Sequence, residues 1–328
     1  MGYYVSDTLA TDSATAVLTL AVTDVGEIVP GVVSLTLGSV DGLPLPGWEP
    51  GAHVELRLPN GLIRQYSLCG PESAGDSYRI AILDQGPGSR GGSRYLNADL
   101  RVGDTLDVLA VRNSFPLRTS TRTVLIAGGI GITAVLPMAQ RLQADGADWE
   151  LHHAVRHRSS AGLIEALDAG HTGRTDVYVG AEGMRLPLRA IMSDAIDGAA
   201  VYVCGPDRMV REAVEAAAEL SVTLHVERFT PPDPAQDSTA QSFTAVIDST
   251  GERIVVDAAS TLLEALEDNG IDVMSSCRSG ICGTCEVGLL AGAADHRDTV
   301  LTDDEKSRDD VIIPCISRAV SAELRLDL

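Results

Sequence analysis

Short runs in which apolar and polar residues alternate dominate the first third of the chain: Ala16-Val-Leu-Thr-Leu-Ala-Val22, Val32-Val-Ser-Leu-Thr-Leu37, His53-Val-Glu-Leu-Arg-Leu58 and Tyr78-Arg-Ile-Ala-Ile-Leu83. A period of two gives each run one face to bury, and Gly, Pro and Asp fill the gaps, so residues 15–118 are predicted to form an antiparallel β-barrel after an N-terminal tail, 1–14. From Thr123 the pattern changes. Thr123-Val-Leu-Ile-Ala127 is apolar throughout, as a strand covered on both faces must be, and leads through Gly128-Gly-Ile-Gly-Ile-Thr133 into a helix over Ala134 to Ala144. A second apolar strand, Ala200-Val-Tyr-Val-Cys204, ends in Gly205-Pro206, with Asp207 as N-cap of a helix from Met209 to Leu220. This rhythm predicts an α/β domain on a parallel sheet over residues 119–230. The stretch 231–241 is rich in Pro and small polar residues without a hydrophobic period, as a linker is, and sets off a third piece, 242–328.

That third piece carries Cys277, Cys282 and Cys285 in the spacing C-x4-C-x2-C, with Cys315 further on. This is the ligand spacing of a plant-type 2Fe-2S ferredoxin, in which four thiolates complete two tetrahedral irons. Ser279, Gly280, Gly283 and Thr284 between the ligands let backbone N–H groups turn toward the sulfurs. A zinc site favours two C-x2-C pairs, and only one is present. The piece is expected to be an α+β, β-grasp domain, which makes the whole chain multidomain.

Charge narrows the partners. The 328 residues carry a formal net charge of −21 and a single lysine, Lys306, which excludes nucleic acid and anionic membrane as targets. Residues 242–328 hold seventeen acidic and seven basic side chains, a net of −10, enough to steer a basic partner; Asp303-Asp-Glu305 and Asp309-Asp310 form either a docking edge or a solvated loop. The six cysteines make no disulfide framework, no run is long and apolar enough for a membrane span, and no leader pattern opens the chain, so a soluble, cytoplasmic protein is expected; a monomer is expected as well.

Two places outside the cysteine motif have the chemistry of cofactor sites. Glycines 128, 129 and 131, and Gly205 with Pro206, end strands where a backbone must approach a dinucleotide closely. In the barrel, Arg64-Gln-Tyr66-Ser67 places a cation, a ring and a hydroxyl on one strand, and Arg90-Gly91-Gly92-Ser93 opens a short helix suited to a flavin phosphate. After the second strand of the nucleotide domain, Arg156, Arg158 and Ser159 offer partners for a 2′-phosphate, so NADPH is conceivable beside NADH. His152 and His153 adjoin on a strand and point to opposite faces, which excludes a shared metal.

Together with Glu227-Arg-Phe229, Asp295-His-Arg-Asp-Thr-Val-Leu301 and the ending Cys315-Ile-Ser-Arg-Ala, these residues resemble the phthalate dioxygenase reductase family over all but the first dozen positions. The resemblance implies FMN held by Arg64, Tyr66 and Ser67 at the ring and ribityl chain and by Arg90, Gly91, Gly92 and Ser93 at the phosphate. It further implies Thr133 and Phe229 flanking the flavin, Cys204 at the nicotinamide of NADH, and Cys277, Cys282, Cys285 and Cys315 on the iron. Thr133, Cys204 and Glu227 are the candidate catalytic residues, with Glu227 either positioning the nicotinamide amide or merely closing a strand. Two departures from the family pattern are Ser89, where relatives often have glycine, and Leu83, which ends a strand where a lysine would be unsurprising.

Electron counting orders the centres. Nicotinamide delivers two electrons as hydride and the cluster accepts one at a time, so a flavin must stand between them. The chain holds no C-x-H…C-x2-H Rieske pattern, so oxygen activation belongs to a separate terminal oxygenase, a Rieske oxygenase or O-demethylase or, alternatively, a haem monooxygenase. A non-catalytic redox sensor built on the cluster is the alternative of another class.

Overall fold

The computed structural model describes residues 17–328 except 60, 71–74, 85, 87–91, 169–173, 196–197, 230–240, 276–277, 279, 281–282, 299 and 302. The tail 1–14, most of the linker, Ser89, Arg90, Gly91, Ser279, Cys277 and Cys282 therefore lie outside the described residues. The chain forms two compact units that divide after Phe229.

The first unit opens with β1 (Leu18–Val29), β2 (Val32–Ser39), β3 (His53–Arg57), β4 (Ile63–Ser67), β5 (Ser77–Leu83), α1 (Gly92–Ala98) and β6 (Thr105–Arg112). These six strands make one antiparallel sheet in the order β4-β3-β6-β1-β2-β5. It curls shut at its edges: the Cys69 N–H, just past β4, donates to the Arg79 carbonyl of β5 at 2.9 Å. Alternate residues Leu35, Leu37, Val54, Leu56, Tyr78 and Ile80 fill its interior, which is why a period of two was visible in the sequence.

Next come β7 (Thr123–Gly128), α2 (Ile132–Ala144), β8 (Trp149–Val155), α3 (Leu163–Leu167), β9 (Thr175–Val179), α4 (Leu188–Asp194), β10 (Ala200–Cys204), α5 (Asp207–Leu220) and β11 (Thr223–Glu227). The five strands are parallel, in the order β11-β10-β7-β8-β9. Leu125 and Ala127 pack with α2 on one face, and Val124 and Ile126 pack with Val210 and Ala213 of α5 on the other. Two covered faces explain why the strand shows no alternation. Arg79 ties the barrel to this sheet by donating to the carbonyls of Ala166 and Leu167 at the end of α3.

Two helix starts differ from expectation. Helix α2 begins at Ile132, two residues early, because a 3₁₀ turn over Gly129–Gly131 leads directly into it. Asp207 is the first residue of α5 and Pro206 is its N-cap, without a side-chain capping bond. The Asp207 carboxylate is drawn away by Arg228 and Arg211.

The second unit contains β12 (Phe243–Ile247), β13 (Arg253–Val256), α6 (Leu262–Asp268), β14 (Val287–Ala291), β15 (Ala294–Asp295), α7 (Asp303–Arg308), β16 (Val311–Ile312), β17 (Arg318–Ala319) and β18 (Glu323–Asp327). Its main sheet runs β13-β12-β18-β14-β16, with β12 and β18 parallel, and α6 packs Leu262 and Leu266 on it behind a Thr261/Glu264 capping box. Strands β15 and β17 pair Asp295 with Arg318. The Arg318 guanidinium donates to the carbonyls of Gln241, Asp257 and Ser260. The acidic segment is not a free edge throughout: the Asp309 carboxylate accepts from the Ala294 N–H and lies 3.1 Å from His296, so it belongs to the fold.

Candidate functional site

In the first unit, β4, β5, α1, the glycine turn and the residue pair after β11 converge on an open cleft. Its walls are Arg64, Gln65, Tyr66, Ser67, Ala81, Leu83, Gly92, Ser93, Ile130, Thr133 and Phe229. The sequence singled out Arg64, Tyr66, Ser67, Gly92, Ser93, Thr133 and Phe229 on four separate stretches, and the fold brings them together. Gln65, Ala81, Leu83 and Ile130 were not predicted to line a site. Ile130 stands inside the glycine run, which was its only sequence signal.

The cleft chemistry suits a polar, planar ring. The Ser67 hydroxyl is buried without a hydrogen-bond partner among the described residues, an expensive state that a ligand heteroatom would relieve. Burial pushes the Tyr66 phenol up to about 12, so it stays neutral and can donate. The Thr133 hydroxyl donates to the Ile130 carbonyl at 2.9 Å and braces the turn. A Cβ on Gly92 would stand 2.7 Å from Cγ and Nε of Arg64, so glycine there lets the guanidinium stem lie flat against α1.

The predicted dinucleotide residues form a second group at the carboxyl edge of the parallel sheet. A Cβ on Gly131 would lie 2.2 Å from the Cys204 carbonyl oxygen, and one on Gly205 would lie 2.9 Å from the Gly128 Cα. The two turns therefore touch backbone to backbone, and Pro206 packs over Gly128. Gly129 has φ +55 and open space around it, and its carbonyl bonds to buried His153 Nε2 at 2.9 Å. His152 instead meets the Tyr178 hydroxyl, consistent with opposite faces, and no metal-ligand cluster occurs among the described residues.

Beside these turns, Cys204 and Glu227 pair across β10 and β11. Burial raises the Cys204 thiol well above its ordinary value, and Glu227 adds to this. Burial also pushes Glu227 up to about 8, and its Oε2 has no partner among the described residues. A neutral thiol and a neutral acid face no charge penalty from an uncharged amide.

Glu227 and His53 impose opposite pH dependences on stability. The Glu227 contribution, fully present below its ordinary 4.5, is lost as pH rises toward 8. His53, held near 4 against an ordinary 6.5 by burial and then Arg112, costs stability as pH falls from 6.5 toward 4. Between pH 8 and pH 5 the first adds about 3 kcal/mol and the second removes about 2 kcal/mol. His153 and His225, whose pKa values burial also lowers, act in the same sense as His53, so Glu227→Gln is expected to shift the change in urea midpoint from pH 8 to pH 5 toward a fall; an unaltered slope would reject the buried acid.

In the second unit, Cys285 and Cys315 are buried. The Gly280 N–H donates to Cys315 Sγ at 3.2 Å. Gly280 has φ +70 and room for no Cβ, since one would lie 2.5 Å from Ile316 Cγ2. The buried Asp298 carboxylate accepts from the Val300 and Leu301 N–H groups and from the Ser317 hydroxyl, which joins the 295–301 segment to the Cys315 loop. An amide aimed at a ligand sulfur, on a backbone that only glycine allows, fits a sulfur-ligated cluster.

Residues 245–320 match the family described as the 2Fe-2S iron-sulfur cluster binding domain. The vanillate O-demethylase oxidoreductase of Pseudomonas sp. (strain HR199 / DSM 7063) is 41% identical over 306 residues, covering 90% of this chain and 95% of that protein. The solved structure of phthalate dioxygenase reductase, described as modular for electron transfer from pyridine nucleotides to [2Fe-2S], superposes with a TM-score of 0.71 at 33% identity, covering 95% of this chain and 98% of its own. The chain belongs to the phthalate dioxygenase reductase family. It is an NAD(P)H-dependent flavin and iron–sulfur oxidoreductase of the kind that serves oxygenases. An intact type IV self-sufficient cytochrome P450 monooxygenase is also similar, with a TM-score of 0.80 and 39% identity, and this chain spans 41% of its length. No helix among the described residues is long and apolar enough to cross a membrane.

Proposed function

We propose that this reductase passes electrons from NADH through FMN and a 2Fe-2S cluster to a separate Rieske-type oxygenase or O-demethylase. The convergence of Arg64, Tyr66, Ser67, Ser93, Thr133 and Phe229 on one cleft carries the proposal. We assign the barrel to residues 15–118, the nucleotide domain to 119–230, the linker to 231–241 and the ferredoxin domain to 242–328.

A bound flavin accepts hydride from the nicotinamide and releases electrons singly. The chain does the rest by positioning. Arg64, Tyr66 and Ser67 would hold the ring and ribityl chain, Thr133 and Phe229 would flank the ring, and Gly92 and Ser93, with Arg90 and Gly91 outside the described residues, would hold the phosphate. Gly128, Gly129, Gly131, Gly205 and Pro206 admit the pyrophosphate and nicotinamide, while Cys204 and Glu227 orient the amide. Cys277, Cys282, Cys285 and Cys315 hold the iron. The self-sufficient P450 superposition supports a second reading, a haem monooxygenase as acceptor.

The cofactor released by acid from the purified protein is expected to be FMN, at one per chain, and anaerobic NADH should bleach it. Stoichiometric FAD would show that an adenosine site had been missed in the barrel. Absence of bleaching would reject the hydride route.

A further inference from the structure

The nicotinamide group, Cys204 and Glu227, sits on the β10–β11 side of the central strand, and the pyrophosphate turn follows β7 itself. A dinucleotide laid along this edge carries its adenosine ribose over β8 and β9. In dinucleotide folds an acid at the end of the second strand takes the ribose hydroxyls. Here that strand ends in Val155-Arg-His-Arg-Ser159, with no acid. Glu182 closes the 3₁₀ turn after β9. Arg158 Nε donates to Glu182 Oε1 at 2.6 Å, and a terminal guanidinium nitrogen donates to Oε2. The Ala181 N–H donates to the Arg156 carbonyl at 2.9 Å, which holds the two loops in register.

We propose that Glu182 makes the protein select NADH over NADPH by occupying the Arg158 fork that would otherwise take a 2′-phosphate. This rests on the nucleotide site assigned above. The two-pronged guanidinium geometry that grips a carboxylate is the one that grips a phosphate, so the two compete for the same donors. Glu182 also places a negative charge where the phosphate would lie. Both side chains are exposed, at 67% and 42%, so the pair adds little to stability and its loss leaves the fold intact. Arg158, one of the three residues expected at a 2′-phosphate, is thus held out of use by a residue twenty-four positions on.

The holoprotein is assayed with NADH and NADPH against ferricyanide, with flavin bleaching followed by stopped flow. The unaltered protein should prefer NADH. Glu182→Gln should raise kcat/KM for NADPH about tenfold, as expected for removing a carboxylate roughly 5 Å from a phosphate in water, mostly through KM. The NADH value should stay within threefold. The double variant Glu182→Gln/Arg158→Gln should lose the gain, because the freed fork is gone. An unchanged NADPH value in Glu182→Gln, a gain that survives in the double variant, or a native preference for NADPH each overturns the proposal. Failure of NADH to bleach the native flavin would instead overturn the hydride route beneath it.

Discussion

Replacing Gly131 by alanine is expected to lower kcat/KM for NADH by about a hundredfold while flavin and cluster contents stay at native levels. The added methyl would stand 2.2 Å from the Cys204 carbonyl oxygen, 2.6 Å from its carbon and 3.0 Å from the Gly205 nitrogen. All three are backbone atoms, so no side chain can swing aside. Gly131 has ordinary right-handed backbone angles, φ −58 and ψ −13, so the substitution tests space alone. Relief requires the β7 turn and the end of β10 to part by roughly 1 Å, and a misplacement of that size costs on the order of a hundredfold in rate. Gly129→Ala is the contrasting case. It has open space but φ +55, so it carries only the left-handed penalty of about 1–2 kcal/mol and a correspondingly smaller loss. Steady-state reduction of ferricyanide measures both. A Gly131→Ala protein within threefold of native would show that the two turns do not form the nucleotide site.

Cys315→Ser is expected to abolish the low-temperature EPR signal and the iron–sulfur absorption and to cut electron delivery to the oxygenase below about 1%, since a serine hydroxyl is a poor substitute for a thiolate. Reduction of the flavin by NADH should remain within twofold, because nothing in the first unit has been altered. Cys69→Ser supplies the control. Cys69 is also buried, its thiol pushed up to about 12 by burial, partly offset by Arg79, and it belongs to the first unit, where it donates to the Arg79 carbonyl. It should leave the EPR signal intact. A signal that survives in Cys315→Ser would remove this residue from the ligand set.

Legibility in the sequence followed the range of the interactions. The cluster was readable because three of its four candidate ligands fall within nine consecutive residues, where spacing alone sets geometry. The central strand of the nucleotide sheet was readable because burial on both faces leaves Val124, Leu125, Ile126 and Ala127 no polar alternative. The start of α5 was misread because Asp207 has a capping side chain, yet Arg228, far along the chain, captures its carboxylate. Local propensity lost there to a long-range ion pair.

The sequence by itself determined the order and class of the three pieces, the period of the barrel runs and of two strands of the nucleotide sheet, and the candidate residues for flavin, nucleotide and iron. These depend on side-chain chemistry and on neighbours a few positions apart. Only the tertiary structure decided which of those residues meet. Closure of the barrel through Cys69 and Arg79, the backbone contact of Gly131 with Cys204, the entry of Ile130 and Ala81 into the cleft wall, the bond from His153 to Gly129 and the pairing of Arg158 with Glu182 all join distant segments. No periodicity encodes such pairings, because they are set by how whole sheets and turns pack once their apolar faces are buried.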